Sequence, residues 1–277
     1  MTENSPASEW GAERVDPAAY LRRIGCAGPL APTAETLREL HRAHVLTIPF
    51  ENLDVVLGRG VRLDAGALQG KLVDGRRGGY CYEHNLLFAA VLERLGYRVT
   101  RLLARVGPLG EPRRARTHAM LLVEADGTRH LADVGFGGEG LVEPLPFAEG
   151  AVSHVGPWTW RLGRAGDEWV LSTLRQDGWA ELYAFRLEVH HRADFEMANH
   201  YTSTLPSSPF VRHVIAQRTI PGARRRLQNL ELDGQELKAE ELHAVLGEVF
   251  GIGLEPEEAE GLARHARAAG RSPERQG

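Results

Sequence analysis

The 277-residue sequence predicts an α+β fold in which a helical region is followed by an antiparallel sheet or small barrel and then by a mixed region. In the first third of the chain, apolar residues recur at the spacing of a helix. In the middle third they form short runs separated by turn-forming residues, which is typical of antiparallel strands. The last third combines both patterns, so we expect helices and strands there.

Two helices are predicted in the first third. One begins after Pro32-Thr33 and stops at Pro49, because proline cannot continue a helix. The clearer helix covers residues 81–95 and has one broad apolar face, formed by Leu86, Leu87, Ala90, Val91 and Leu95. Gly96 follows this helix where a left-handed C-terminal cap is expected.

The middle third predicts short strands that form an antiparallel sheet or a small barrel. The predicted strands are residues 99–106, 118–124, 128–136, 158–162, 168–174 and 183–189. Asp126-Gly127 lies between two apolar runs and predicts a tight hairpin. Residues 163–167 predict a second turn.

The last third predicts two strands, a turn and a helix. The strands are residues 214–219 and 225–230, and Asp233-Gly234 forms the turn. Residues 236–250 predict a helix with an inward apolar face. The charged tail after Glu255 is expected to be disordered.

Composition argues against several classes of partner. Lysine and arginine number 33 and acidic residues 37, so the net charge of −4 argues against nucleic-acid binding. No apolar run approaches the roughly 20 residues that cross a membrane, and MTENSPASEW does not resemble a secretory signal. Two cysteines are too few for a disulfide framework or a zinc site, so we expect a cytoplasmic protein without a metal. Arg224, Arg225 and Arg226 form either a solvated face or an anion contact.

Cys81 is the candidate nucleophile. Gly78 and Gly79 precede it and allow a tight turn, and Cys81 opens the predicted helix. The positive end of a helix dipole favours a thiolate, which is the reactive form of cysteine. The alternative is a small, inert, buried cysteine. Cys26 lacks this setting apart from a neighbouring Gly25, and we interpret it as a structural thiol.

The Asp126-Gly127 hairpin selects a candidate base and its orienting carboxylate among 12 histidines. If these two residues form the loop, paired positions sum to 253, so His118 lies opposite Gly135. Asp133 is two residues from Gly135 and shares its face, which places Asp133 within side-chain reach of His118. A structural His–Asp pair is the alternative. The same register puts His130 on the opposite face, and we expect His84 to be structural or to line a pocket.

Several motifs together resemble the arylamine N-acetyltransferase family. The nine residues Arg77–Asn85 resemble the active-site signature of that family. Further similar segments, in the same order, are Ile48–Leu53, Thr117-His118, Asp133–Gly137, Ala198–Ser203 and Ser208–Phe210. The resemblance implies a cysteine-protease-like Cys-His-Asp core, with Cys81, His118 and Asp133 as its catalytic residues. It also implies an N-terminal helical bundle over 1–97, a β-barrel over 98–205 and a C-terminal α/β lid over 206–277.

The same resemblance implies a chemistry. Cys81 takes an acetyl group from acetyl-CoA, and an arylamine, arylhydrazine or N-hydroxyarylamine then removes it in a ping-pong reaction of xenobiotic metabolism. Phe50, Tyr80 and Phe136 are expected to line the substrate pocket. The cofactor site is expected to contain Gly135, Gly137, Gly138 and Tyr201, with the glycine loop near the CoA pyrophosphate. Core packing of the aromatics and a plain glycine turn are the alternatives.

Three other functions stay open at this point. A related amide synthase would release polyketide chains with the same three residues. A Cys-His-Asp hydrolase would pass the acyl group to water, and a non-catalytic binding module would leave Cys81 inert. The oligomeric state is open between a monomer and a homodimer.

Overall fold

The computed structural model describes residues 9–28, 30–110 and 113–270. Their fold is α+β, with an antiparallel barrel that is nearly closed and helices at both ends, as the sequence predicts. Within these residues no helix has both the length and the apolar character that a membrane crossing requires.

The N-terminal region is helical. Its elements are α1 (Pro17–Ile24), α2 (Ala34–Thr47), β1 (Phe50–Glu51), α3 (Leu53–Val56), α4 (Ala65–Leu68) and α5 (Cys81–Arg94), with a 3-10 turn at Ala12–Arg14 and a π-helical turn at Gln69–Asp74. Thr33 caps α2 by accepting a hydrogen bond from the backbone N–H of Thr36. The predicted helix between Pro32 and Pro49 is therefore found as α2.

Helix α5 lies at the centre of the molecule. Every residue from Cys81 to Leu92 is buried, because α5 packs against α1 and α4 on one side and against the first barrel strands on the other. Gly96 follows the helix with a φ of 92°, the left-handed conformation that the sequence predicts for a C-terminal cap.

The barrel consists of antiparallel strands that follow α5. They are β2 (Arg98–Val106), β3 (His118–Ala125), β4 (Thr128–Ala132), β5 (Leu145–Pro146), β6 (Val152–Val155), β7 (Trp158–Ala165), β8 (Glu168–Arg175) and β9 (Gly178–Phe185). Their spatial order is β5-β4-β3-β2-β9-β8-β7-β6. The backbone N–H of Phe147 donates to Arg129 of β4, and that of Gly150 donates to Leu162 of β7. This segment between β5 and β6 thus joins the two edges of the sheet.

Several strand predictions were wrong at their ends. The predicted strand 158–162 continues to Ala165, so the turn predicted over 163–167 is only Gly166-Asp167, and the predicted strand 225–230 is Ala223–Gln228. The predicted strand 128–136 ends at Ala132, because the next two N–H groups donate to side chains instead of a neighbouring strand. The N–H of Asp133 donates to His41 Nε2, and that of Val134 donates to Asn85 Oδ1. The predicted strand 183–189 is instead Gly178–Phe185. The first half of this strand is partly exposed and has no apolar run, so the sequence pattern does not indicate it.

The C-terminal region combines helices with a second sheet. Its elements are α6 (Arg192–Thr204), α7 (Pro209–Arg212), β10 (Ile215–Ile220), β11 (Ala223–Gln228), β12 (Glu231–Leu232), β13 (Gln235–Glu236), α8 (Leu242–Glu248) and α9 (Pro256–Gly270), with a 3-10 turn at Ala239–Glu241. The sheet order is β1-β10-β11-β12-β13. Since β1 belongs to the N-terminal region, this sheet ties the two ends of the chain together. The domain limits at residues 97 and 205 stay a prediction.

The end of the chain contradicts two further predictions. Residues 236–250 are not one helix, because Gln235–Glu236 pairs with β12 and α8 starts only at Leu242. The tail after Glu255 is not disordered up to residue 270, where it forms α9. Ala259, Leu262, Ala263 and Ala266 of α9 are buried at helical spacing. The final segment RSPERQG, residues 271–277, lies outside the described residues.

Candidate active site

A tight glycine turn delivers Cys81 to the start of α5. A Cβ on Gly78 would lie 2.0 Å from the carbonyl oxygen of Pro49, and one on Gly79 would lie 2.6 Å from Glu83 Oε2. No other residue fits these positions without displacing the turn. Glu83 Oε2 accepts a hydrogen bond of 3.0 Å from the Tyr80 N–H, which closes the first turn of the helix.

Glu83 is in turn held by Lys71. The Lys71 Nζ lies 2.7 Å from Glu83 Oε1 and 2.7 Å from Asp54 Oδ2. Burial raises the pKa of Glu83 to about 7, although Lys71 acts in the opposite direction. The helix that carries the nucleophile is thus anchored by a buried carboxylate with a cationic partner.

The predicted hairpin register places His118 beside Asp133. Leu121 pairs with Ala132, which gives the expected sum of 253. Asp126 and Gly127 both have positive φ values, 50° and 72°, as the tight turn requires. His118 Nε2 and Asp133 Oδ2 are 2.7 Å apart, and both side chains are buried.

Three further contacts hold the Asp133 carboxylate. Its Oδ1 accepts from Asn85 Nδ2 at 3.0 Å and from the Gly135 N–H at 3.1 Å. Burial raises the pKa of Asp133, but His118 and the donors Asn85 and Gly135 outweigh it and lower the pKa below its usual range. His41 Nε2 accepts a hydrogen bond from the Asp133 N–H, and the Nδ1–H of the same ring donates to the Val142 carbonyl. Neither His41 nor the anchoring role of Asn85 on Asp133 was predicted.

Cys81 and His118 lie next to each other at the end of this arrangement, and both line the same cavity. Burial lowers the pKa of His118, but Asp133 and then Cys81 outweigh it and raise the pKa to about 10. Since His118 Nε2 bonds to Asp133, Nδ1 is the ring nitrogen left for the Cys81 thiol that raises the His118 pKa. Cys81 Sγ also lies 3.8 Å from the Thr117 carbonyl oxygen. Thiol, imidazole and carboxylate therefore follow one another in the order that nucleophilic catalysis requires.

The raised pKa of His118 makes a stability prediction with a defined sign. Its ordinary value is 6.5, so the pair stabilises the fold fully below about pH 6.5 and loses this contribution as the pH rises through about 10. We expect the difference in unfolding free energy between wild type and His118→Gln to fall by at least about 1.4 kcal/mol between pH 6.5 and 10. Urea unfolding of both proteins at the two pH values measures it. A difference that does not change with pH would contradict the assignment.

A cavity of about 530 Å³ opens beside Cys81 and His118. Predicted residues Phe50, Phe136 and Tyr201 line it. Unpredicted lining residues are Val106, Arg113, Arg114, Ala115, Thr117, Thr202, Leu205, Ser207, Ser208, Pro209 and Phe210. Most of them lie before β3 or after α6, in segments where the resemblance covers only Thr117 and Ser208–Phe210 and no helix or strand pattern marks the rest.

Tyr80 is not among the residues that line this cavity. It is fully buried, its hydroxyl donates to Asn199 Oδ1, and its ring packs edge-on against Phe210 at 5.4 Å. Tyr80 thus supports the cavity wall from behind. Tyr80 therefore does not line this cavity as predicted, because its hydroxyl bonds to Asn199 and its ring packs within the N-terminal hydrophobic core.

A second, smaller cavity of about 30 Å³ lies between the barrel and the C-terminal sheet. It is lined by Gly137, Gly138 and Arg224, and Phe50 and Phe136 line both cavities. The Arg224 guanidinium lies 4.4 Å from the Trp158 ring centroid and donates to the Gly140 carbonyl at 2.6 Å. Arg224 is therefore no solvated side chain, and burial lowers its pKa to about 10.

Gly135 does not line either cavity but packs against the nucleophile. A Cβ at Gly135 would lie 2.9 Å from Cys81 Cα and 2.7 Å from Asn85 Nδ2. We expect Gly135→Ala to destabilise the fold by about 1–3 kcal/mol through overpacking, and to displace Cys81 from His118. Gly247→Ala is the matched control, because a Cβ there meets nothing within 4 Å. Thermal unfolding of both variants measures the effect, and equal stability would contradict it.

Comparison with known proteins gives consistent results. A family model described as N-acetyltransferase matches residues 33–259. The arylamine N-acetyltransferase of Escherichia coli (strain K12) is 38% identical over 248 residues, which cover 85% of this chain and 88% of the relative. The structure of Nocardia farcinica arylamine N-acetyltransferase has a TM-score of 0.86 at 42% identity, covering 94% of this chain and 97% of that one.

A solved structure of Mycobacterium marinum arylamine N-acetyltransferase in complex with CoA has a TM-score of 0.84 at 37% identity, and covers 92% of this chain and 99% of that one. The matched family model defines the class as an N-acetyltransferase, which confirms the predicted kind of enzyme. Within that class, the chain belongs to the arylamine N-acetyltransferase family.

Proposed function

We propose that this protein transfers an acetyl group from acetyl-CoA to aromatic amines and hydrazines through a thioester on Cys81. One observation carries the proposal above the others. His118 is hydrogen-bonded to the Asp133 carboxylate at 2.7 Å and lies at the edge of a large cavity. Asp133 and Cys81 both raise the pKa of His118. Such a site needs only an acyl donor and a nucleophilic acceptor to turn over.

The first half-reaction loads the enzyme. The Cys81 thiolate attacks the thioester carbonyl carbon of acetyl-CoA, and the carbon–sulfur bond to CoA breaks. The CoA thiolate then takes the proton of the His118 imidazolium and leaves as a thiol. Asp133 keeps the imidazole ring oriented, so that Nδ1 faces the reacting sulfur.

The second half-reaction transfers the acetyl group from Cys81 to the amine. The amine nitrogen attacks the acetyl carbon of the Cys81 thioester, while the now neutral His118 takes one proton from that nitrogen. The carbon–sulfur bond breaks, which releases the amide and restores the thiolate–imidazolium pair. Because both substrates must reach the same sulfur, the donor product has to leave before the acceptor reacts.

The larger cavity suits an aromatic acceptor that must reach Cys81. The aromatic side chains Phe50, Phe136 and Phe210 line the larger cavity and provide apolar contact area for an aromatic ring. The smaller cavity of about 30 Å³ is too small for the CoA phosphates, so we place them outside it, near the loop that contains Gly137 and Gly138 and near the Arg224 guanidinium. Tyr201 lines only the larger cavity, so we place it beside the part of CoA nearest the thioester. The relative solved with CoA supports this choice of donor.

We also propose a cytoplasmic location, with small-molecule partners and neither nucleic acid nor membrane. The net charge of −4 supports the absence of nucleic acid. Cys26 and Cys81 are both free thiols, which suits a reducing compartment.

Acceptor turnover tests the proposal. Purified protein with acetyl-CoA is given a panel of arylamines, arylhydrazines and N-hydroxyarylamines, and release of CoA thiol is followed. We expect rapid, acceptor-dependent release. Release that no small amine accelerates would overturn the proposal in favour of an amide synthase, and fast release without any amine would favour a hydrolase.

A further inference from the structure

Three buried side chains, linked by hydrogen bonds in series, connect the N-terminal helices to the turn before Cys81. The Tyr20 hydroxyl lies 2.7 Å from His44 Nδ1, and His44 Nε2 lies 2.8 Å from His84 Nδ1. Tyr20 and His44 are fully buried and His84 is 1% exposed. The two half-reactions described above use none of these three groups.

The hydrogen-bond acceptors at the His84 end of this series determine the direction of every hydrogen bond in it. His84 Nε2 lies 3.2 Å from the Pro49 carbonyl oxygen and 3.0 Å from that of Gly79. Carbonyl oxygens only accept, so Nε2 of His84 must carry the proton, and Nδ1 of a neutral ring must accept. His44 Nε2 therefore donates to His84, His44 Nδ1 accepts, and the Tyr20 hydroxyl donates.

Both rings are neutral, as this pattern requires. Burial lowers the pKa of His84 to about 4, and hydrogen bonds to the Pro49 and Gly79 carbonyls only partly offset it. Burial also lowers the pKa of His44, and the neighbouring His84 lowers it further. Burial keeps Tyr20 protonated by raising its pKa. A change of tautomer in His84 would turn a ring lone pair towards two carbonyl oxygens, which repel it.

The two carbonyl groups belong to the two segments that build the active site. Gly79 lies two residues before Cys81, and Pro49 precedes Phe50, which lines both cavities. These segments run side by side, with a parallel bridge between Phe50 and Gly79. The Phe50 ring also stacks on His84 at a centroid distance of 6.3 Å and an angle of 13°. His84 thus joins the nucleophile turn to the cavity wall.

We propose that Tyr20 and His44 form a relay that, together with the two carbonyl acceptors, locks the tautomer of His84, and that His84 is a positioning residue that sets Cys81 against His118 and Phe50. This inference rests on the proposed function for the role of Cys81. The relay touches no substrate and works only through the placement of the two segments.

The test measures the alkylation rate of Cys81 by iodoacetamide at pH 7. It uses the Cys26→Ser protein, in which Cys81 is the only thiol. We expect Tyr20→Phe, which removes one hydroxyl group, to slow alkylation about three- to tenfold, since one lost buried hydrogen bond is equivalent to roughly that factor. We also expect a higher KM for the amine acceptor, because Phe50 is displaced. The matched control is Tyr97→Phe, which removes a partly buried hydroxyl that donates to the Thr33 carbonyl at 2.8 Å.

A second variant separates the relay from a general loss of stability. In His84→Gln the side-chain amide donates to the carbonyl groups without any tautomer to lock. Adding Tyr20→Phe to His84→Gln should then leave the alkylation rate unchanged. The relay is refuted if Tyr20→Phe has no effect, if Tyr97→Phe slows alkylation equally, or if Tyr20→Phe slows the His84→Gln protein as much as the wild type. Iodoacetamide needs no acetyl-CoA, so failure of the proposed function would appear separately, as a missing acetyl adduct.

Discussion

Replacing Cys81 with alanine is expected to reduce acetyl transfer by at least about 10⁴-fold, because Cys81 is the cysteine that lines the cavity beside His118 and its sulfur carries the acyl intermediate. Cys81 is 4% exposed, and the smaller alanine side chain fits the same turn. The helix should therefore keep its place, and the melting temperature should change by only a few degrees. Steady-state CoA release and thermal unfolding measure the two quantities.

Cys26→Ala is the control for the loss of a thiol. Cys26 follows α1 and does not line either cavity, so we expect wild-type turnover from this variant. Appreciable acetyl transfer by Cys81→Ala, or an equal loss in Cys26→Ala, would mean that the acetyl group does not pass through Cys81.

Asp133→Asn should lower kcat by about 10³–10⁴-fold while the fold is retained. An asparagine amide donates to His118 Nε2, so the ring proton moves to Nδ1. In that tautomer His118 cannot accept a proton from the thiol or from the amine. The donors Asn85 and Gly135 also lose an ionised acceptor, which adds to the effect.

Asp126→Asn is the control in the same hairpin. Asparagine also adopts a positive φ, so the tight turn should persist, and Asp126 is remote from His118 at the far end of β3. We expect near-normal turnover from Asp126→Asn. A near-normal kcat in Asp133→Asn as well would make Asp133 a structural residue.

Local signals explain how much of the site was predictable. The Asp126-Gly127 turn fixes the register of β3 and β4, and side-chain alternation then places Asp133 near His118. The Gly78-Gly79 turn and the helix start at Cys81 are equally local. These features depend on neighbours in sequence, so a single sequence is enough to deduce them.

Other features depend on partners that are distant in sequence. The chain leaves the sheet at Asp133 because His41, 92 residues away, accepts from its N–H. Helix α9 has a charged exterior that conceals the apolar spacing of Ala259, Leu262 and Ala266. The rim of the larger cavity comes from two segments that are remote in sequence, one before β3 and one after α6, and no local pattern in either segment indicates that the two meet.

The most direct test of the acyl-enzyme account is the intact mass of the protein after exposure to acetyl-CoA alone. Wild type and Cys81→Ser are incubated without any acceptor, and an arylamine is then added to each. We expect one acetyl adduct on the wild type, which is lost when the arylamine is added. On Cys81→Ser we expect no adduct that the arylamine can remove. A wild type that gains no adduct, or whose adduct no arylamine removes, would contradict the account.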